Sequence, residues 1–134
     1  MGFAYSMLAA GQWQDERRAN LLDGGTSYYD VYQCSDELWI SIGSIEPQFY
    51  AYLRRRLGLN DPLFNDRDNR AQWRAQRAAY ESLFRQQPRA HWCALLGDSD
   101  VCFAPVLSLT PGEIAGPAPL PGQDGDSILA DWLA

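Results

Sequence analysis

The chain's 134 residues make one short domain, and a domain of that size buries roughly two-thirds of the surface its unfolded chain exposes. Apolar residues make up 46% and charged residues 21%, with five Trp, seven Tyr and five Phe, which excludes the disordered, collagen-like and low-complexity classes. All 11 basic residues are Arg and the last is Arg89; residues 1–90 carry as many acids as arginines, so the net charge of −6 comes from residues 91–134, a distribution that argues against a nucleic-acid partner.

The uncharged stretch Gly2–Gly11 falls well short of the ~20 residues of a membrane span and lacks a basic start, so neither a membrane partner nor a secretory leader is expected. Its Ala, Leu, Met and aromatic residues predict the end of a helix. A polar segment then leads to Asp23-Gly24-Gly25, a turn in which glycine permits positive φ and close backbone approach. Thr26–Cys34 is rich in aromatic and β-branched residues, Ser35-Asp36-Glu37 is a polar turn, and Leu38–Ile42 alternates with period two, which together predict a β-hairpin.

Gly43-Ser44 ends the second strand, and Pro47 suits the first turn of a helix, where its missing N–H costs nothing. Phe49, Tyr50, Leu53 and Leu57 fall on one face of that helix, Gly58 stops it, and Arg54, Arg55 and Arg56 read as a solvated face near the negative end of its dipole. After a loop over 60–68, a longer helix over 69–87 carries Trp73, Tyr80, Leu83 and Phe84 on one stripe. Pro88 opens a third helix through Trp92, Leu95 and Leu96 to Gly97. Val101–Val106 reads as a short strand; Thr110 and Pro111 begin a short helix; 116–126 is a Pro- and Gly-rich linker, and Ser127–Leu133 a last short helix. The fold class is therefore α+β, a small antiparallel sheet of a hairpin plus one further strand, packed with about three main helices.

Few residues advertise chemistry. His91, the only histidine, sits inside a predicted helix and reads as a surface or packing residue, and there is no P-loop, nucleophile elbow, HExxH or dinucleotide fingerprint. Cys34, Cys93 and Cys102 are odd in number and widely spaced, which suggests no disulfide framework and no metal site; they read as small buried hydrophobes in a reducing cytosol. One octet is more informative, Gly43-Ser44-Ile45-Glu46-Pro47-Gln48-Phe49-Tyr50, which sets a carboxylate at a strand-to-helix junction. Glu46 there either favours the positive end of the helix dipole or orients another ionisable group in a site.

The octet occurs with Ala19-Asn20-Leu21-Leu22-Asp23-Gly24-Gly25 before it, and with Ala90-His91-Trp92 and Asp98 to Leu107 after it. In that order and spacing these segments resemble the middle portion of the α-methylacyl-CoA racemases, members of the family III CoA-transferases, over about Gln12–Leu109. The resemblance implies a small α+β domain at 12–109, preceded at 1–11 by a helical remnant of an interdomain linker. It also implies that the chain is truncated and internally deleted, because residues 121–132 resemble the C-terminal end of family chains.

By the same resemblance, Glu46 matches a small-domain carboxylate that reaches the partner subunit's site and hydrogen-bonds the catalytic histidine. Asp23, Gly24 and Gly25 match a loop at the active-site mouth. Arg17 and Arg18 are the nearest basic candidates for the phosphates of a coenzyme A thioester, the expected ligand; no covalently bound cofactor is expected. The family's catalytic histidine and aspartate have no counterpart in this sequence, so the chain is expected to be inactive alone. The alternatives are an oligomeric binding or assembly module, as a homo-oligomer or with a large-domain partner chain, and a subunit that supplies Glu46 to a partner's site.

Overall fold

The hairpin forms where alternation and turn chemistry place it. The computed structural model describes residues 2–109, and in it β1 (Tyr29–Gln33) pairs antiparallel with β2 (Trp39–Gly43), Tyr32 opposite Ile40 and Val31 opposite Ser41. A third strand, β3 (Phe103–Val106), lies antiparallel on the other side of β2, giving the order β1-β2-β3. The first strand begins later than expected: Thr26, Ser27 and Tyr28 are buried ahead of it, with the Thr26 and Ser27 side chains bonded to the loop and helix beneath them and the Tyr28 carbonyl accepting from the Ser44 amide. Ser27 Oγ donates to Gln76 Oε1 at 3.0 Å, and Thr26 Oγ1 to the Leu21 carbonyl at 3.1 Å.

The helices follow their start and stop signals. An amino-terminal helix, α1 (Gly2–Ala9), buries none of its residues. The next, α2 (Pro47–Leu57), begins behind an extended Glu46 with Pro47 at its first position and ends at Gly58, whose φ of 66° is the left-handed conformation glycine tolerates and whose N–H reaches the Arg54 and Arg55 carbonyls. The loop that follows contains one short 3-10 turn, Pro62–Phe64, capped by Asp61. Asn69 caps α3 (Arg70–Phe84) by accepting from the Ala71 amide at 3.2 Å. Pro88 stands one position earlier than expected, as the extended residue before α4 (Arg89–Leu96). The helices and linker expected over 110–134 lie outside the described residues, and no described helix is long and apolar enough to cross a membrane.

One face of the sheet makes the core. Tyr32, Ile40 and Ile42 pack against Leu53 of α2, Tyr80 and Phe84 of α3, and Trp92 and Leu96 of α4, all nearly inaccessible to solvent. Ring centroids lie 5.2 Å apart for Tyr32–Phe84, 5.6 Å for Tyr32–Tyr80 and 5.1 Å for Phe84–Trp92, separations at which tilted and edge-to-face pairs add to area burial. Two of the polar handles are satisfied, Tyr32 Oη donating to the Ser27 carbonyl and Trp92 Nε1 to the Phe84 carbonyl at 3.0 Å, whereas the buried Tyr80 hydroxyl has no hydrogen-bond partner among the described residues. Buried Gln76 donates to the Leu63 and Asp66 carbonyls, tying α3 to the preceding loop.

Phe84→Ala would leave a cavity among these rings, and is expected to lower the unfolding free energy by about 3–5 kcal/mol in urea titrations. Ser82→Ala, on the exposed side of the same helix, should stay within about 0.5 kcal/mol of the parent.

Candidate functional site

The loop over residues 12–25 is built around two side chains that share their polar groups. Asn20, 1% exposed, accepts from the Gln14 amide at 2.7 Å and donates to the Gln14 carbonyl at 2.9 Å and to Asp23 Oδ2 at 2.8 Å. Asp23 also accepts from the backbone amides of Asn20, Gly25 and Ala19 at 2.9, 3.1 and 3.3 Å. Gly24 has a φ of 84°, and a Cβ on Gly25 would fall 2.6 Å from the Asn20 amide nitrogen, so both glycines are demanded by the backbone. Burial pushes the Asp23 carboxyl up, but the hydrogen bonds from the Asn20 side chain and from the three amides outweigh it and hold Asp23 below its ordinary value. Its role is to fold the loop, since both oxygens face its own backbone.

A second knot fastens this loop to the sheet and to α3. Asp30, at the start of β1, pairs with Arg77 and with Arg18 at 3.2 Å, and Arg77 also donates to the Gly24 and Thr26 carbonyls. Both partners of the Asp30–Arg77 pair are largely buried, so each depends on the other to offset its desolvation.

Beside this knot lies a cleft of about 770 Å³, with Arg17, Arg18, Asp23 and Gly24 on one side and the outer face of the sheet on the other, where Tyr29, Val31, Ser41 and Ala104 form the floor and Cys102 the far wall. The loop candidates are thus brought together. Gly25 lies deeper and, with Gly24, borders a second cleft against α3.

Glu46 stands apart from both clefts. It is exposed at the amino end of α2 and makes no capping hydrogen bond, and it enters no ion pair among the described residues. Its junction is nonetheless rigid: Ser44 Oγ donates to the Val101 carbonyl at 2.6 Å, the Ser44 amide to the Tyr28 carbonyl at 3.0 Å, and the Gly43 amide to the Cys102 carbonyl at 2.8 Å. Partial desolvation pushes the Cys102 thiol up, and the Glu46 and Asp100 carboxylates push it the same way.

The cysteines differ from expectation. Cys34 is buried, its thiol pushed up to about 11 by that burial first and by Asp36 next, but Cys93 is half-buried and Cys102 is exposed. Cys102 escapes the core because the chain turns there with a φ of 54° before entering β3. His91 is exposed on α4, edge-on to Trp92, and lines neither cleft. The run at 54–56 is not a free cationic patch: Arg54 bonds Asn65 and the Leu59 carbonyl, Arg56 donates to the Leu95 carbonyl, and Arg55 lies over Tyr52. Among the described residues no group of three or more His, Cys, Asp or Glu is arranged to hold a metal. Asp30, Arg77 and Cys102 were missed by sequence reasoning. A carboxylate opening an aromatic strand was the available signal for Asp30, whereas the pairing with Arg77 spans 47 positions and has no local trace.

Residues 1–124 match the family model described as CoA-transferase family III. The chain belongs to CoA-transferase family III. The match extends at both ends beyond the segment Gln12–Leu109 that carries the motif resemblance. Similar curated proteins include the alpha-methylacyl-CoA racemase of Mus musculus, 33% identical over 106 residues covering 79% of this chain and 28% of the relative. The alpha-methylacyl-CoA racemase of Homo sapiens is 32% identical over 96 residues, 72% of this chain and 25% of the relative. A CaiB/BaiF CoA-transferase family protein of Caenorhabditis elegans is 27% identical over 89 residues, 66% of this chain and 25% of that protein. The matched segments thus span about a quarter of these relatives' length.

Asp23→Asn removes a carboxylate that is stabilising while ionised. Because its folded-state value is depressed, the contribution is full above the ordinary 3.8 and is lost as pH falls through the lower folded value. Urea midpoints should therefore show the variant less stable than the parent near neutral pH, with the gap closing in acid; a gap independent of pH would contradict this.

Proposed function

We propose that this chain is the small, site-completing domain of a racemase-type family III CoA-transferase, contributing Glu46 and the loop–sheet cleft to a site whose proton-transfer pair lies outside these residues. The observation that carries the reading is Glu46 itself: an exposed, uncapped carboxylate on a junction pinned by Ser44 and Gly43, free to orient an ionisable group of a partner surface. Racemising a 2-methylacyl thioester requires a base on one face of the α-carbon, an acid on the other, and stabilisation of the enolate between them. Glu46 can serve one such position or orient the group that does; His91, on the far surface of α4, serves neither. In this reading the apolar floor of Tyr29 and Val31 accommodates the acyl or pantetheine portion of a coenzyme A thioester, and Arg17 and Arg18 stand at its polar edge. A reducing, cytosolic setting belongs to the same proposal and suits three free thiols.

The open face of the sheet supports a second reading, an assembly surface for a second copy or for a large-domain chain. Tyr29, Val31, Trp39 and Val106 project from the face opposite the core, each between 38% and 47% exposed, and contiguous apolar faces of this kind commonly mark interfaces.

The purified chain, given a 2-methylacyl-CoA in deuterated buffer and followed by NMR, should show no α-proton exchange above the buffer rate. Exchange that disappears in Glu46→Gln would mean the chain holds a working base and overturn the incomplete-site reading. For the assembly surface, sedimentation velocity should show concentration-dependent association that Val31→Asp abolishes; a monomer at the highest soluble concentration would count against it.

A further inference from the structure

Four of the chain's 11 arginines converge on one small cleft that the reading above leaves unused. Its volume is about 380 Å³, and it lies between α3 and the loop, with Arg70, Trp73, Arg74 and Arg77 on the helix side and Arg18 with the Gly24-Gly25 backbone opposite. The helical spacing explains the convergence. Positions 70, 74 and 77 follow one another at four and three residues, so their side chains rise from a single face, with Trp73 between them. Arg70 is also the first residue of α3, where the unpaired amides of the first turn add partial positive charge.

The charges in this cleft are not balanced from within. Among the described residues Asp30 is the one carboxylate that forms an ion pair with any of the four, and Arg18 and Arg77 share it. Arg70 donates to the Gln12 carbonyl and lies 5.4 Å from the centre of the Trp73 ring, but neither Arg70 nor Arg74 enters an ion pair among the described residues. Asp23 has turned its oxygens to its own loop, and Glu81 stands one turn beyond Arg77, outside the lining. Burial pushes the Arg77 guanidinium down first, the like charge of Arg18 adds to it, and the Glu81 carboxylate opposes both.

We propose that this cleft binds a phosphoryl anion, either free diphosphate or the phosphate end of a larger ligand. Guanidinium forks match phosphoryl oxygens with paired N–H donors, and an anion here would give Arg70 and Arg74 an ionic partner while relieving the repulsion between Arg18 and Arg77. Arg77 is already held by Asp30 and the Gly24 carbonyl, so part of the site is organised before ligand arrives. Arg18 and Gly24 also line the larger cleft, so a ligand with a phosphate end and an apolar body could pass from one to the other over the Gly24 turn. The argument rests on the arginines and not on the thioester reading.

Isothermal titration of the full chain with inorganic pyrophosphate, and separately with coenzyme A, tests this in a chloride buffer free of phosphate and sulfate. Saturable binding of pyrophosphate is expected, weakened at least tenfold by Arg74→Gln and removed by Arg70→Gln with Arg74→Gln, while Arg55→Gln, on α2, leaves it unchanged. Arg70 and Arg74 are exposed, and circular dichroism melts verify that the variants fold. Coenzyme A binding tighter than pyrophosphate, and equally sensitive to Arg74→Gln, would assign the site to the phosphates of a larger ligand; equal affinities would assign it to free diphosphate. No saturable binding of either probe, or binding that survives the double substitution, would overturn the proposal.

Discussion

The packing of β1 on α3 holds this molecule together. Tyr32 meets Tyr80 and Phe84 with ring centroids within 5.6 Å, and Phe84 passes the contact to Trp92 of α4. Large flat side chains bury much area for little rotamer entropy, which suits a domain with a modest core. Because successive strand residues alternate faces, committing Tyr32 to that core turns Val31 outward. The open sheet face therefore follows from how the core is made.

The same geometry decides where polar chemistry can gather. Asp30 lies on the core face but at its margin, where the sheet ends and the loop begins, and there it holds Arg77 of α3 and Arg18 of the loop. Without that carboxylate the loop would have no charged anchor on the sheet, and two arginines would face each other. With it, the Gly24 turn lies between the cleft over the sheet and the arginine-lined cleft against α3. The two clefts share Arg18 and Gly24, so the turn is common to both.

Glu46 illustrates how membership of CoA-transferase family III and local physics meet. Its backbone serves the helix, standing extended ahead of Pro47, yet its carboxylate is not used as a cap. The junction is rigid because Ser44 and Gly43 tie β2 to the turn before β3. That carboxylate stands exposed at the positive end of the α2 dipole, which favours it there, and it enters no ion pair among the described residues.

Much of the fold was legible in the sequence because its signals are local. Proline at the start of α2, glycine at its end, Asn69 ahead of α3 and the alternation of β2 act within a few residues of where they stand. The Asp23-Gly24-Gly25 turn was equally legible, since its requirement for glycine is a property of its own backbone. The site was legible only in pieces. Arg17, Arg18, Asp23 and Gly24 were singled out and do share a cleft, but that Asp23 would be consumed by Asn20 and three amides, that Cys102 would be exposed and Cys34 buried, and that Glu46 would stand outside both clefts depended on how distant segments meet. Asp30 and Arg77 show the reason most plainly. They are 47 residues apart, and a charge pair that far separated in sequence exists only once the hairpin has packed on α3. Short-range stereochemistry was written in the sequence by itself; the pairing of charges and the enclosure of clefts were decided by tertiary packing, because burial and Coulomb energy depend on distance in space.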